Sequence, residues 1–304
     1  MNLFDLSVNI GGLKLKNPIM NASGCFDPEQ MCRVQGMDLS RLGAIVTKGT
    51  TLESRIGNPQ PRIKETASGM INFIGLENPG VEVLINDKLV FLSQFGVPII
   101  VNVCGKQVDD YVCMAQRLDQ VYCIAALELN ISCPNVKDGG IIFGSQPRIA
   151  ASVVQVVRRV TKLPLIVKLT PNVTDIVSIA KAVVDFGADA ISMINTVRSV
   201  FDHKGKIVQG GLSGPAIKPI ARCLINQVAQ AVSVPIIGMG GITTLQDVFD
   251  FFMVGATAVA IGTANFKNPL VIMELIEQLE KYCVEYGLEN IDQVKKKLRK
   301  GGKK

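Results

Sequence analysis

Residues 126–135 read A-L-E-L-N-I-S-C-P-N, and the fold turns on how this stretch is read. Leu127 and Leu129 alternate in an apolar setting, the pattern of a buried strand. Pro134 ends it, because proline has no N–H to give a central ladder. Where the strand stops, an amide (Asn130), a hydroxyl (Ser132), a thiol (Cys133) and a second amide (Asn135) are collected. Taken alone, the stretch is equally a turn holding a buried free cysteine. Its neighbours decide between the two readings.

Short apolar runs ending in small or polar residues recur on both sides of it. They lie at 18–24 (P-I-M-N-A-S-G), 43–48 (G-A-I-V-T-K), 98–105 (P-I-I-V-N-V-C-G), 126–132 and 164–171 (P-L-I-V-K-L-T-P). Three more follow at 189–196 (D-A-I-S-M-I-N-T), 235–241 (P-I-I-G-M-G-G) and 258–263 (A-V-A-I-G-T). Between them the apolar period is helical. Val153, Val156, Val157 and Val160 share a face, as do Ile176, Ile179, Ala180 and Val183, closed by Gly187, and Ile272, Leu275, Ile276 and Leu279. Thr174-Asp175 and Thr244 stand where helix N-caps are expected. Continuous apolar strands alternating with amphipathic helices specify a parallel sheet covered by helices. Eight such units in 304 residues specify an α/β fold, the (β/α)8 TIM barrel. Residues 6–16 read as an N-terminal β-hairpin turned at Gly11-Gly12. The intervals 49–95 and 195–214 are longer than a helix needs and are expected as inserted loops on the catalytic face. The whole chain, 1–304, reads as one barrel domain with a basic tail at about 295–304.

Composition narrows the class. The chain is 48% hydrophobic and 19% charged, enough for a large core. It has no apolar run of bilayer length and no basic-then-apolar leader pattern, so a soluble, cytoplasmic protein without membrane contact is expected. Eight cysteines form no CxxC pair and stand beside one histidine, His203, so neither zinc nor an iron–sulfur cluster is expected on this chain. The formal charge of +6 is concentrated at the end: residues 295–304 (K-K-K-L-R-K-G-G-K-K) hold seven Lys or Arg, and without them the charge is −1. A solvated, frayed terminus is expected there, and no nucleic-acid surface on the body.

In such a barrel the site is built from the C-terminal ends of the strands. Those ends supply Ser23, Lys48, Asn102, Asn130 with Cys133, Lys168, Asn195 with Thr196, Gly240-Gly241 and Gly262-Thr263. Two lysines and three asparagines on one face call for something bound to solvate them. Backbone amides at the glycine pairs after the last two strands can close on a phosphate. Lysine with uncharged amides suits a flat heterocycle bearing carbonyls and N–H groups, a description that fits an isoalloxazine ring or a pyrimidine. No histidine stands among the ends, and the one carboxylate nearby, Glu128, lies within the strand. Cys133 is the remaining candidate for proton transfer, and its ordinary pKa near 8.5 needs lowering or a relay.

Together these residues resemble the dihydroorotate dehydrogenase family, the class 1B catalytic subunits in particular. The resemblance is carried by N-I-S-C-P-N-V-K-x-G-G-x-x-F-G (130–144), N-A-S-G-C-F (21–26), G-N-P-x-P-R (57–62) and N-x-I-G-L-x-N-P-G (72–80). K-L-T-P-N (168–172), G-G-L-S-G-P-A-I-K-P (210–219) and G-M-G-G-I (238–242) add to it, over about 6–286. It implies an FMN-binding barrel that oxidises (S)-dihydroorotate to orotate in pyrimidine biosynthesis. By position, Cys133 is the base. Lys48, Asn72, Asn130, Asn195 and Thr196, with Phe73, Ile74, Gly75 and Leu76, hold the substrate. Ser23, Lys48, Gly49, Asn102, Asn130, Lys168, Ile194 and Gly214 surround the flavin, and Gly240, Gly241, Gly262 and Thr263 grip its phosphate. The loop after Cys133, with Gly139-Gly140 and Gly144, suits a lid.

The resemblance also implies a homodimer core within a heterotetramer. Two copies of an electron-transfer subunit, carrying FAD and a [2Fe–2S] cluster, would pass electrons to NAD. The membrane-bound class, with an N-terminal extension and a serine base, fits less well. The interval 197–209, shorter than usual, and the basic tail depart from the family pattern. Two other readings share features of this sequence: a dihydropyrimidine dehydrogenase flavin domain, and a Schiff-base barrel aldolase using Lys168. A non-catalytic scaffold would leave Cys133, Lys48 and the asparagines without a joint purpose.

Overall fold

The computed structural model describes residues 4–132 and 140–301, the last two of these and 140–142 by backbone alone. All eight expected strands are present: β3 (Ile19–Asn21), β4 (Ile45–Val46), β7 (Ile99–Val103), β8 (Ile124–Asn130), β9 (Leu165–Lys168), β10 (Ala190–Met193), β13 (Ile236–Met239) and β14 (Ala258–Ile261). They form one parallel sheet in the order β3-β14-β13-β10-β9-β8-β7-β4. Every residue of β7 and β13 is buried, as strands covered on both faces must be. The seam between β3 and β4 is closed partly by a side chain. Asn21 donates from Nδ2 to the Val46 carbonyl at 2.7 Å and accepts the Val46 N–H at 2.9 Å, doing what a ladder residue would. The predicted hairpin is β1 (Val8–Ile10) with β2 (Leu13–Leu15).

The helices lie where the apolar period placed them. In helix Ile176–Asp185, Ile176, Ile179, Ala180 and Val183 are all buried, and Asp175 caps the N-terminus by accepting two backbone N–H groups. Each large aliphatic side chain buried in this way contributes roughly 1.5–3 kcal/mol. Helix Leu245–Met253 starts in a capping box between Thr244 and Asp247. Among the described residues no helix is long and apolar enough to cross a membrane.

The two long intervals are not separate loops. They pair into one antiparallel sheet over the C-terminal mouth of the barrel: β5 (Ile63–Thr66) and β6 (Gly69–Asn72) from the first, β11 (Val197–His203) and β12 (Lys206–Ser213) from the second. The β11–β12 turn is Lys204-Gly205, both at positive φ as a two-residue hairpin of type I′ requires. β6 joins β12 through Gly211 opposite Asn72, and glycine is needed there for close approach. A Cβ on Gly210 would lie 2.6 Å from the Asn72 carbonyl oxygen, and one on Gly211 only 2.0 Å from Thr196 Oγ1.

The expectation of a frayed basic tail is corrected as far as residue 301. Residues Ile291–Gly301 form a helix, because Ile291, Val294 and Leu298 make an apolar stripe among the lysines. Lys295 Nζ sits 5.1 Å from the centre of the Phe252 ring and Lys297 Nζ 4.1 Å from that of Tyr286. The segment expected as a lid is described only from residue 140. Gly140–Ser145 is helical, and a Cβ on Gly144 would lie 2.4 Å from the Ile131 carbonyl oxygen, so this end is packed down.

Candidate functional site

The core of the barrel mouth is polar. Glu128 lies inside the barrel among Met20, Ile100, Ile166 and Ile237. Its Oε1 accepts the Ser192 hydroxyl at 2.6 Å and faces Lys168 Nζ at 3.8 Å, while its Oε2 accepts Asn102 Nδ2 at 2.9 Å. A buried carboxylate without such partners would be costly, and here both oxygens are used. Asn102 Oδ1 in turn accepts from Asn130 Nδ2 at 3.2 Å. Asn130 Oδ1 accepts the Ser132 hydroxyl at 3.0 Å, and Asn195 Nδ2 donates to Ser132 Oγ at 2.9 Å.

Above this network is a cavity of about 360 Å³ bounded by the strand ends and the antiparallel sheet. Ile63, Met70, Ile194, Ile217 and Met239 give it apolar walls, and Lys168, Asn130, Asn195 and Asn72 its polar edge. One corner is made of glycine. Gly214, Gly240 and Gly241 all line it, the last two at φ 127° and 81°, where a side chain is disfavoured. A Cβ on Gly241 would lie 2.7 Å from the Gly214 carbonyl oxygen. Beside it Thr263 donates to Ser213 Oγ at 2.8 Å. Asp247 holds the adjoining segment by accepting Thr243 N at 2.8 Å and Thr244 N at 2.9 Å, and it pairs with Lys218. Burial pushes its carboxyl up, but the Lys218 hydrogen bond and those from Thr243 and Thr244 outweigh that and hold it below the ordinary value.

At the mouth, Lys48 Nζ lies 3.7 Å from Glu77 Oε2, which also accepts Arg62 Nη1 at 2.8 Å. The Arg62 hydrogen bond, then the Lys48 charge, hold the Glu77 carboxyl below its usual value. Cys25 also lines the cavity, but desolvation pushes its thiol up, against the opposing charge of Lys168. A proton acceptor needs the reverse.

Of the residues chosen from sequence, Ser23, Lys48, Gly49, Asn72, Ile74, Gly75, Leu76, Asn130, Lys168, Ile194, Asn195, Thr196, Gly214, Gly240, Gly241, Gly262 and Thr263 are brought together around this one cavity. Asn102 and Phe73 are not among its lining residues. Asn102 is fully buried behind Asn130, tied to Glu128, and Phe73 is held by its backbone to Arg62. Cys133 and Asn135 lie outside the described residues. The reading from strand ends missed Glu77, Cys25, Ser213 and the apolar roof. The G-N-P-x-P-R, N-x-I-G-L and G-G-L-S-G-P stretches hinted at that second layer, and N-A-S-G-C-F at Cys25.

The site can be set beside known proteins. The family model described as Dihydroorotate dehydrogenase matches residues 5–283. The catalytic subunit of dihydroorotate dehydrogenase B (NAD(+)) from Bacillus pumilus is 50% identical over 295 residues, covering 95% of this chain and 94% of that one. The protein of the same name from Malacoplasma penetrans is 52% identical over 293 residues, covering 94% and 95%. That from Alkaliphilus oremlandii is 51% identical over 300 residues, covering 97% and 99%. The crystal structure of the Eimeria tenella enzyme DHODH in complex with ferulenol superposes with a TM-score of 0.78 at 24% identity, over 95% of this chain and 87% of that one, a likeness of fold.

Proposed function

This chain belongs to the dihydroorotate dehydrogenase family, and on that premise we propose that it oxidises (S)-dihydroorotate to orotate in pyrimidine biosynthesis, using FMN. The observation that carries the reading is convergence: a buried lysine, a row of asparagines and a glycine corner bound one cavity of about 360 Å³. The residues present fit the flavin. The apolar walls suit a flat ring, Lys168 suits an edge that gains negative charge, and the glycine corner admits a phosphate to the backbone. When bound, FMN supplies the acceptor for the hydride that leaves C6 of dihydroorotate.

The chain's own residues do the rest. Cys133 takes the proton from C5, and the electron pair of that C–H bond, with the C6 hydride lost as well, becomes the C5=C6 double bond of orotate. Lys48 receives the substrate carboxylate at the mouth, and Asn72, Asn130, Asn195 and Thr196 hold the amide edge. Ser23, Gly49, Asn130, Lys168, Ile194 and Gly214 bound the flavin ring, and Gly240, Gly241, Gly262 and Thr263 its phosphate. The antiparallel sheet covers the mouth and limits water. Lys168 stands as one half of a buried ion pair with Glu128, which is not the free amine a Schiff-base aldolase needs.

The relatives are named catalytic subunits acting with NAD(+), which supports a partner for this chain as well. That partner would be an electron-transfer subunit holding FAD and a [2Fe–2S] cluster, two copies flanking a homodimer of this chain, with NAD as final acceptor. The test is Cys133→Ala. It should retain bound flavin and lose most of the reduction by dihydroorotate in an anaerobic rapid-mixing experiment. Reduction at the wild-type rate would remove Cys133 as the base.

A further inference from the structure

Glu128 lies outside the cavity wall, yet it touches the groups that form it. A carboxylate can only accept hydrogen bonds. Asn102 must therefore turn its Nδ2 to Glu128 Oε2, at 2.9 Å, which leaves Asn102 Oδ1 for the Nδ2 of Asn130 at 3.2 Å. Asn130 is then left with its Oδ1 for the backbone N–H and hydroxyl of Ser132, at 3.3 and 3.0 Å. The Ser132 hydroxyl, having donated, accepts Asn195 Nδ2 at 2.9 Å. Asn102 and Ser132 are fully buried, so water offers no alternative partner. The other carboxylate oxygen accepts Ser192 and faces the Lys168 ammonium at 3.8 Å.

We infer that Glu128 is a positioning residue of this site. Its two oxygens, both accepting, hold Lys168 on one side and the Asn102–Asn130 amides on the other in a single polarity. The inference rests on the functional reading above. A glutamine at this position has one acceptor in place of two. Its NH2 group must face either the Lys168 ammonium or the Asn102 amide, and in both arrangements Lys168 loses its counter-charge.

The experiment uses the FMN-loaded chain and two readouts that need no turnover: the flavin midpoint potential, and orotate affinity from its perturbation of the oxidised flavin spectrum. Glu128→Gln should move the potential to a more positive value, since the Lys168 charge is no longer offset. It should also weaken orotate by about tenfold, the scale of one misdirected hydrogen bond. Glu128→Asp, which restores two acceptors, should bring the potential back toward wild type. Asn102→Ala covers the case in which the Gln variant does not fold. It cuts the amide link and leaves the ion pair, so orotate should weaken while the potential moves less than in Glu128→Gln. Wild-type potential or wild-type orotate affinity in Glu128→Gln would overturn the inference alone, as would wild-type orotate affinity in Asn102→Ala. A wild-type chain that takes up no FMN would overturn the functional reading and the inference together.

Discussion

Two lysine–glutamate pairs flank the cavity at nearly the same separation and in very different surroundings. Lys168 and Glu128 stand 3.8 Å apart with side chains 6% and 4% exposed. Lys48 and Glu77 stand 3.7 Å apart and are 47% and 46% exposed. The attraction between two charges at this spacing is several-fold weaker in water than in a low-dielectric interior, and salt weakens it further at the surface. In the buried pair each ion has given up hydration, so each depends on the other. In the exposed pair water can replace either partner, so Lys48 is not tied to Glu77, which Arg62 also holds. Equal distance thus gives a fixed scaffold in one place and an exchangeable charge in the other.

The comparison can be broken at several points. The largest effect is expected from Lys168→Gln, which strands Glu128 in the interior. Its unfolding free energy in urea should fall by about 3–5 kcal/mol, and a loss under about 1 kcal/mol would place this pair with the surface pairs. Asp247 and Lys218 are an intermediate case, with side chains 5% and 31% exposed. Asp247→Asn should cost about 2–3 kcal/mol at neutral pH, the value of hydrogen bonds to a charged group.

The pH dependence of that pair has a definite sign. The folded-state pKa of Asp247 lies below its unfolded value, so its contribution is complete above the ordinary carboxylate range and is lost as pH falls through the lowered value. Acid titration of stability should therefore be steeper below about pH 4 in wild type than in Asp247→Asn, and equal slopes would contradict the assignment. Smaller again in stability is Lys48→Gln. The urea midpoint should stay at the wild-type value while orotate affinity falls about tenfold or more, the loss of one charge-assisted hydrogen bond. The smallest effect is expected from Glu77→Gln, which removes the contacts to Lys48 and Arg62 together: the urea midpoint should fall slightly, and by less in high salt than in low. A fall as large as that of Asp247→Asn, unaltered by salt, would mean that the exposed pair is as structural as the buried ones.

In each pair the lysine was legible in the sequence and the glutamate was not. Apolar runs such as P-I-I-V-N-V-C-G and P-L-I-V-K-L-T-P announce buried parallel strands, and the residue ending each run faces the mouth by the geometry of the barrel. Lys168, Asn130 and Gly240-Gly241 follow from that alone. The roof does not. The I-K-E-T of β5 has no apolar contrast, and β6 pairs with β12 across 139 residues of chain, as in the Asn72–Gly211 hydrogen bond. Glu77 and Arg62 belong to that roof and were missed with it. The helix Ile291–Gly301 was hidden for another reason: its lysines dominate the charge count, while only Ile291, Val294 and Leu298 record its packing. Glu128 reads in the sequence as an ordinary strand residue, because a sequence does not show which buried carboxylates meet a lysine.

The most direct test of the account is the visible spectrum of the purified, FMN-loaded chain under anaerobic conditions, before and after adding dihydroorotate. An oxidised-flavin band should be present and should bleach on addition of the substrate. A band that persists with dihydroorotate, or a chain that cannot be loaded with FMN, would contradict the account.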